Sequence, residues 1–233
     1  MKSLLAFIPA FLISVAVCLA QTAPYSFKES YDLGASAKVM ISSSDGNIDV
    51  VAFDGAKTDV FYIVKKNNKL LNVSCQELEK ELELDVAQAG NSLSIVVKYK
   101  NEFGSVNWKD KMIVSFRLQV PKQTACDLRT SDGNISMKGL TRDQRCKTSD
   151  GDLEILDIEG MVNASTSDGN ITVKKVAGPL EVKTSDGNIR IEDIKGDVKG
   201  TTSDGNVSVT NVTGNTTAKT SDGDISFKDL TVH

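Results

Sequence analysis

"TSDGNI" occupies residues 130–135, and near-copies of it recur along the rest of the chain as far as "TSDGDI" at residues 220–225. The aspartates of successive copies are always 18 residues apart. They are Asp132, Asp150, Asp168, Asp186, Asp204 and Asp222. A short fixed period without insertions is typical of a solenoid, in which equal units stack on one another.

Each unit alternates bends and strands. With the Thr as position 1, apolar residues fall at positions 6, 8 and 11 and, less regularly, at 15 and 17, and a spacing of two indicates strands. Glycine occupies position 4 in every copy and position 13 in four copies (Gly160, Gly178, Gly196 and Gly214). We therefore predict an all-β fold, a right-handed parallel β-solenoid with two facing sheets and six coils. At ~4.8 Å per coil the rod is roughly 30 Å long.

Two other folds fit the period less well. Eighteen residues also make five helical turns, but two glycines per unit and abundant Thr and Val oppose a helix. Antiparallel hairpins use Asp-Gly turns as well, yet an unvarying period favours stacking. In the solenoid the following side chains are expected to point inward: Ile171, Val173, Val176, Leu180 and Val182 in one coil, and Ile189, Ile191, Ile194 and Val198 in the next.

The cysteines follow from the same positions. Cys126 falls at position 15 and Cys146 at position 17 of the next coil, so they are neighbours slipped by two residues. Combining ~4.8 Å between strands with ~6.6 Å along them separates the Cα atoms by about 8 Å, beyond disulfide reach. We predict that both are free, buried and act as small hydrophobes.

The Asp-Gly corner has a chemical and a geometric interpretation. Calcium-binding β-rolls carry an Asp two residues after the second turn Gly. Here that place holds only apolar residues (Ile135, Leu153, Ile171, Ile189, Val207 and Ile225), so that calcium motif is absent. The geometric interpretation is a positive φ at Gly, with Asp and Asn bonding the local backbone. The asparagines are also expected to stack in amide ladders (Asn134, Asn170, Asn188 and Asn206).

The six stacked aspartates form what we call the aspartate ridge, defined by Asp132, Asp150, Asp168, Asp186, Asp204 and Asp222. Neighbouring carboxylates repel by about 0.9 kcal/mol at the dielectric constant of water, and less in salt. Partial relief is expected from the outward cations three residues earlier (Arg129, Lys147, Lys183 and Lys219). Weak binding of divalent cations along the ridge is a minor hypothesis.

The repeats begin after a different N-terminal part. Residues 1–20 are typical of a secretory signal peptide cleaved before Gln21, the alternatives being an uncleaved anchor or a lipoprotein acylated on Cys18. We then expect a β-rich region at residues 21–128 and the six-coil solenoid at residues 129–233. The stretch "VMISSSDGNIDVVAF" at residues 39–53 repeats the corner at Asp45 before the period breaks, which indicates an early coil followed by an insertion.

The insertion contains strands at "DVFYIV", "ELELDV", "SLSIVVKY" and "MIVSFRLQV", with a turn at Gly90-Asn91. Ser74 and Glu77 match a capping box and predict a short helix at residues 75–81. The segment at residues 100–111 carries Phe103 and the only tryptophan, Trp108. These aromatic residues are candidate ligand contacts, unless they fold back to cap the open end of the solenoid.

The chain resembles a bacterial "putative adhesin" domain family of unknown function. The resemblance rests on the leader, the opening coil "SSSDGNIDV", the segment "FRLQVPKQTACDL" with Val120-Pro121, and the "TSDGNI" coils, and it covers most of residues 25–233. It implies a secreted or envelope-associated β-solenoid without assigned catalytic residues.

The residue inventory favours a binding scaffold over an enzyme. The only histidine is His233, which excludes His-based triads and His-rich metal sites, and no cofactor is implied. Carboxylate enzymes need unlike residues converging in one groove, whereas a ladder repeats one group. An outward row of polar residues (Ser136, Thr172, Arg190, Ser208 and Ser226) suits weak, repeated contacts to a cell-surface glycan or protein.

A purely structural role in the cell envelope is the alternative, and a carbohydrate-active enzyme is a weaker one. The net charge of −4 and the absence of a basic patch argue against nucleic acid. After cleavage we expect no membrane span, and export to the periplasm, the cell surface or the medium.

Overall fold

The computed structural model of the chain describes residues 25–34, 36–100 and 111–232. The proposed signal peptide, Phe103 and Trp108 lie outside these residues. The described part contains one helix, α1 (Cys75–Glu81), and twenty strands. The capping box of Ser74 and Glu77 opens α1, which confirms the predicted helix.

The strands form two sheets. In spatial order, the first contains β1 (Phe27–Tyr31), β4 (Thr58–Lys66), β8 (Met112–Pro121), β3 (Ile48–Phe53), β10 (Ile135–Lys138), β12 (Leu153–Glu159), β14 (Ile171–Ala177), β16 (Ile189–Lys195), β18 (Val207–Thr213) and β20 (Ile225–Thr231), with β5 (Lys69–Leu70) attached to β4. The second contains β19 (Thr216–Lys219), β17 (Val198–Thr201), β15 (Leu180–Lys183), β13 (Val162–Ser165), β11 (Gln144–Lys147), β9 (Ala125–Arg129), β2 (Lys38–Ser42), β7 (Ser92–Tyr99) and β6 (Leu82–Ala89).

The chain winds between the two sheets once per repeat. Each strand runs parallel to the equivalent strand of the next coil, and equivalent residues pair, as Leu153 does with Ile171 and Ile171 with Ile189. The nine side chains expected to point inward are all at most 3% exposed. The parallel β-solenoid with 18-residue coils is therefore confirmed, and its core is the thin layer between the sheets.

A kink in each long strand explains why the apolar positions run 6, 8 and 11 rather than 6, 8 and 10. The residue at position 10 has a left-handed backbone, with φ between 54° and 60° in five coils. These residues are Asp157, Lys175, Asp193, Asn211 and Asp229. The left-handed residue shifts the in-and-out alternation by one and returns position 11 to the core, and because every long strand carries it the coils stay in register. The sequence alone did not predict this kink.

The N-terminal part continues both sheets, but the spatial order of its strands differs from their order along the chain. As predicted, residues 39–53 form an early coil: β3 pairs in parallel with β10, and β2 with β9. The insertion then adds a further coil in front of it, because β7 pairs in parallel with β2 and β8 with β3. Antiparallel strands β1, β4 and β6 close this end of the solenoid.

The cysteines lie where the repeat positions placed them. Cys126 pairs with Gln144 and Cys146 with Leu128, a slip of two residues between the thiols. Both cysteines are free and buried, and Cys75 is free on α1. Burial raises the pKa of each buried thiol to about 12.

Candidate functional site

The threonine of each corner holds the coil to the one before it. Thr184 Oγ1 donates to the carbonyls of Ser167 and Gly169, each at 3.0 Å, and accepts the N–H of Gly187 at 3.3 Å. Five of these threonines, Thr130, Thr148, Thr166, Thr184 and Thr202, are buried. The Thr row therefore faces the core and stabilises the corner, leaving it unavailable to a ligand.

Position 4 requires glycine for a different reason from the one predicted. None of the six position-4 glycines of the ridge has a positive φ, so that prediction was wrong, although Gly46 in the early coil does at 103°. A Cβ on Gly169 would lie 1.9 Å from the carbonyl oxygen of Gly151, and the other copies are alike. The corners stack so closely that only a residue without a side chain fits.

The predicted asparagine ladder is present. Asn170 Oδ1 accepts the backbone N–H of Asn188 at 3.0 Å, and its amide partner Asn188 Nδ2 approaches at 3.3 Å. The ladder runs through Asn47, Asn134, Asp152, Asn170, Asn188, Asn206 and Asp224. Asp replaces Asn at two levels because the bond needs only an acceptor oxygen.

The aspartate ridge lies on the solvent side of these corners. Its six side chains are exposed, while the backbone N–H of each Asp donates to a serine carbonyl of the coil before, as Asp186 does to Ser167 at 2.9 Å. Within the described residues, no three His, Cys, Asp or Glu side chains converge to hold a metal ion. Divalent-cation binding along the ridge stays a prediction.

The corner of the early coil, one level before the ridge begins, has a different chemistry. Asp45 is buried and forms an ion pair with Lys111, whose Nζ also lies 4.1 Å from the centre of the Tyr99 ring. Burial favours a higher pKa for Asp45, but hydrogen bonds from Lys111, Tyr99 and Asp132 outweigh it and lower the pKa. We call these four residues, Asp45, Tyr99, Lys111 and Asp132, the ridge junction.

The pKa values of the two carboxyls of the ridge junction are shifted in opposite directions. The hydrogen bond shared with Asp45 is the largest cause that raises the pKa of Asp132, followed by partial burial. Burial is also the main cause that raises the pKa of Tyr99, with the neighbouring Asp45 adding to it. Asp45 therefore keeps its charge to lower pH, and Asp132 holds a proton to higher pH.

The ridge junction lies where the segment at residues 101–110 joins the sheets. Tyr99 ends β7 and Lys111 precedes β8, so both sides of the segment start at the end of the ridge. The candidate contacts Phe103 and Trp108 are outside the described residues, and their role stays a prediction. Neither Tyr99 nor Lys111 was predicted from the sequence. The available signal was Asp45, the first of the stacked corner aspartates, whose charge a nearby lysine can balance.

The outer face of the first sheet carries the predicted polar row in register. Ser136, Thr172, Arg190, Ser208 and Ser226 stack on successive coils, with Glu154 filling the level between Ser136 and Thr172. The row is thus uninterrupted from β10 to β20. In the described parts of the chain, no helix is long and apolar enough to cross a membrane.

One surface cavity of about 490 Å³ lies near the closed end, at the turns that follow β3 and β8. Its floor includes Phe53 and Pro121, and its rim carries Asp32 and the Asp54–Lys122 ion pair at 2.8 Å. Its polar rim groups are exposed, and they form no nucleophile and base pair.

Comparison with known proteins gives the family. The Toastrack DUF4097 model matches residues 35–233. No curated protein matches the chain. A putative cell adhesion protein from Clostridium sporogenes is 9% identical, with a TM-score of 0.38 over 87% of this chain and 98% of its own. A putative adhesin from Bacteroides fragilis is 13% identical, with a TM-score of 0.39 over 89% and 96%. Together with the repeated corners and the stacked coils, the match over most of its length places this chain in the Toastrack DUF4097 family of domains of unknown function.

Proposed function

We propose that the protein is an exported, non-enzymatic scaffold that binds a cell-surface glycan or protein through repeated weak contacts. The observation that carries the proposal is the polar row on the first sheet, where side chains recur at each coil in strict register. Hydroxyls, one guanidinium and one carboxylate about 4.8 Å apart can each make a hydrogen bond to a polymer lying along the rod. Affinity then comes from the number of contacts.

Three arguments support a non-enzymatic role. The ridge repeats one exposed carboxylate at each level, whereas carboxylate enzymes need unlike groups that converge in one groove. The ridge junction does contain two unlike carboxyls, but Asp45 is occupied by its ion pair with Lys111. The family's description names no catalytic activity.

Export is part of the proposal and is supported by residues 1–20, whose apolar run and small-residue end are typical of a signal peptide. We also propose that residues 21–128 act as the closing part and residues 129–233 as the repeated binding part. The mass of the mature N-terminus tests the export step, and a chain that begins with an acylated Cys18 would contradict cleavage before Gln21.

A glycan and extracellular-matrix binding screen tests the main proposal. It compares the wild-type chain from residue 21 with two variants, Phe103→Ala/Trp108→Ala and Thr172→Ala/Arg190→Ala. Loss of binding only in the second variant supports the polar row as the contact surface. Loss only in the first moves the site to the segment at residues 101–110, and no binding by the wild type overturns the binding role.

A structural role in the cell envelope is the second candidate, favoured by the two buried or stacked ladders. Thr Oγ1 and Asn Oδ1 bonds tie each coil to the next and stiffen the rod without offering a ligand group. Deleting the protein and measuring envelope resistance to detergent tests this role. Unchanged resistance together with glycan binding would contradict it.

A further inference from the structure

The last described strand, β20, presents the inner row of its coil to solvent. Ile225, Phe227 and Leu230 occupy positions 6, 8 and 11, which are buried in the other coils, yet they are 39%, 50% and 38% exposed. The equivalent residues one coil earlier, Val207, Val209 and Val212, are each 1% exposed. The difference in exposure shows how much apolar surface a following coil covers.

The same face offers backbone as well as apolar side chains. β20 pairs with β18 on one side only, and no described strand pairs with its other side. An extended edge with three apolar side chains and no proline is a template for another strand. The opposite end of the solenoid differs, because its edge strands β1 and β6 run antiparallel to β4 and β7 and keep inward residues such as Phe27, Leu84 and Val86 partly buried against the core.

We propose that this face pairs with the same face of a second copy of the chain, giving a tail-to-tail dimer in which β20 of each copy runs antiparallel to its partner. A two-fold axis makes one surface patch meet itself and closes the assembly at two subunits. The occupant therefore needs no chemistry beyond what β20 itself contains. This inference is independent of the proposed ligand binding.

The sequence of β20 selects one register. In antiparallel pairs, directly opposite residues share a face of the sheet, so the axis must pass through a residue rather than between two. With the axis at Ser226, Ile225 packs on Phe227 inside and Asp224 lies opposite Lys228 outside. Centring on Phe227 instead places Ile225 opposite Asp229, which has a left-handed backbone and ends the regular pairing.

The charge pattern is what points to self-association. Asp224 and Lys228 are two residues on either side of Ser226 and both are exposed. Two Asp224–Lys228 pairs form across the two-fold axis, where the like-charged alternatives repel. The pattern is thus complementary to its own rotated copy.

Charge reversal tests the register directly. The wild-type chain from residue 21 is expected to sediment as a dimer, whereas Asp224→Lys and Lys228→Asp are each expected to weaken the dimer at least about tenfold, a change of 1.4 kcal/mol. The double variant Asp224→Lys/Lys228→Asp is expected to restore the homodimer. An equimolar mixture of the two single variants is expected to form a heterodimer, because each then supplies the charge that the other lacks.

The controls separate association from folding. Asp222→Lys reverses a charge on the same last coil but four residues from the proposed axis at Ser226, with no charged residue opposite it, and should leave the dimer intact. Recovery of association in the mixture shows that both single variants are folded. A wild type that stays monomeric at every protein concentration measured, or single variants that stay as dimeric as the wild type, overturns the proposal.

Discussion

At the level of single residues, the preceding coil limits the size of the side chain that each corner can accommodate. A Cβ at Gly187 would meet the carbonyl oxygen of Gly169 at 1.8 Å, and a backbone atom cannot move aside. We therefore expect Gly187→Ala to destabilise the protein by about 1–3 kcal/mol or more, as overpacking does. Urea unfolding followed by circular dichroism measures the change.

Gly200→Ala is the matched control, since Gly200 is a buried glycine in the adjoining strand. A Cβ there would make ordinary contacts of 3.5 Å with Ile191 and Val207. It should be neutral or stabilise by about 0.4–1 kcal/mol through the unfolded chain. Equal losses in both variants would contradict the close-stacking explanation.

At the ridge junction, replacing Asp45 and replacing Asp132 are expected to change stability with opposite pH dependence. The lowered pKa of Asp45 means that its ionised form stabilises the fold above its unfolded pKa, and that this stability is lost as pH falls through the folded pKa. Asp45→Asn should therefore cost about 1.5–3 kcal/mol at pH 7, the range for a hydrogen bond to a charged group. The loss should shrink toward acid pH.

Asp132→Asn should behave in the opposite way. The raised pKa of Asp132 means that its contribution is favourable below its unfolded pKa and is lost as pH rises through the folded pKa. The variant should be at least as stable as the wild type at pH 7, with the difference vanishing below about pH 4. Urea midpoints from pH 3 to 8 check both curves, and parallel curves would show that the two carboxyls are not linked.

At the level of elements, the kink in each long strand is maintained by residues that tolerate a left-handed backbone unequally. Lys175 has φ of 57°, where the other coils of the same kind use Asp or Asn. This conformation costs a side-chain-bearing residue about 1–2 kcal/mol, and glycine about 0.5–1 kcal/mol of entropy. Lys175→Gly is expected to raise the free energy of unfolding by about 0.5–1 kcal/mol.

Lys183→Gly is the comparison for this change, because Lys183 is an exposed lysine in β15 without a positive φ. It should lower the free energy of unfolding by about 0.5–1 kcal/mol, since glycine weakens a regular strand. Chemical denaturation of both variants gives the two values. A loss at both positions would mean that the left-handed backbone at Lys175 is not strained.

The sequence predicts the features that repeat within one coil but not those that depend on contacts between distant segments. Apolar spacing predicted the strands, the inward row and the slip between Cys126 and Cys146, because a solenoid repeats one local rule. It did not predict the coil formed by β7 and β8, which depends on contacts between segments far apart in the chain. The cause of the position-4 glycines was also missed, since a contact between coils is not visible within one unit.

At the level of the whole molecule, stability should be nearly a sum over coils and the contacts between neighbours. Deleting residues 166–183 removes one coil and joins Ser165 to Thr184, so Thr184 takes the place of Thr166 and Ile189 the place of Ile171. All later ladders keep their acceptors. We expect this protein to fold cooperatively, with a lower free energy of unfolding and a length reduced by about 4.8 Å.

Deleting residues 167–183, one residue fewer, is the control that separates register from length. A slip of one residue turns each inward side chain of the later coils toward solvent. We expect this variant to lose its cooperative transition and to bind the dye ANS strongly, as loosely packed states do. Small-angle scattering, urea unfolding and dye fluorescence measure both proteins. Equal dye binding by the two deletions would contradict the additive-coil description, because stability would then depend on total length rather than on the 18-residue register.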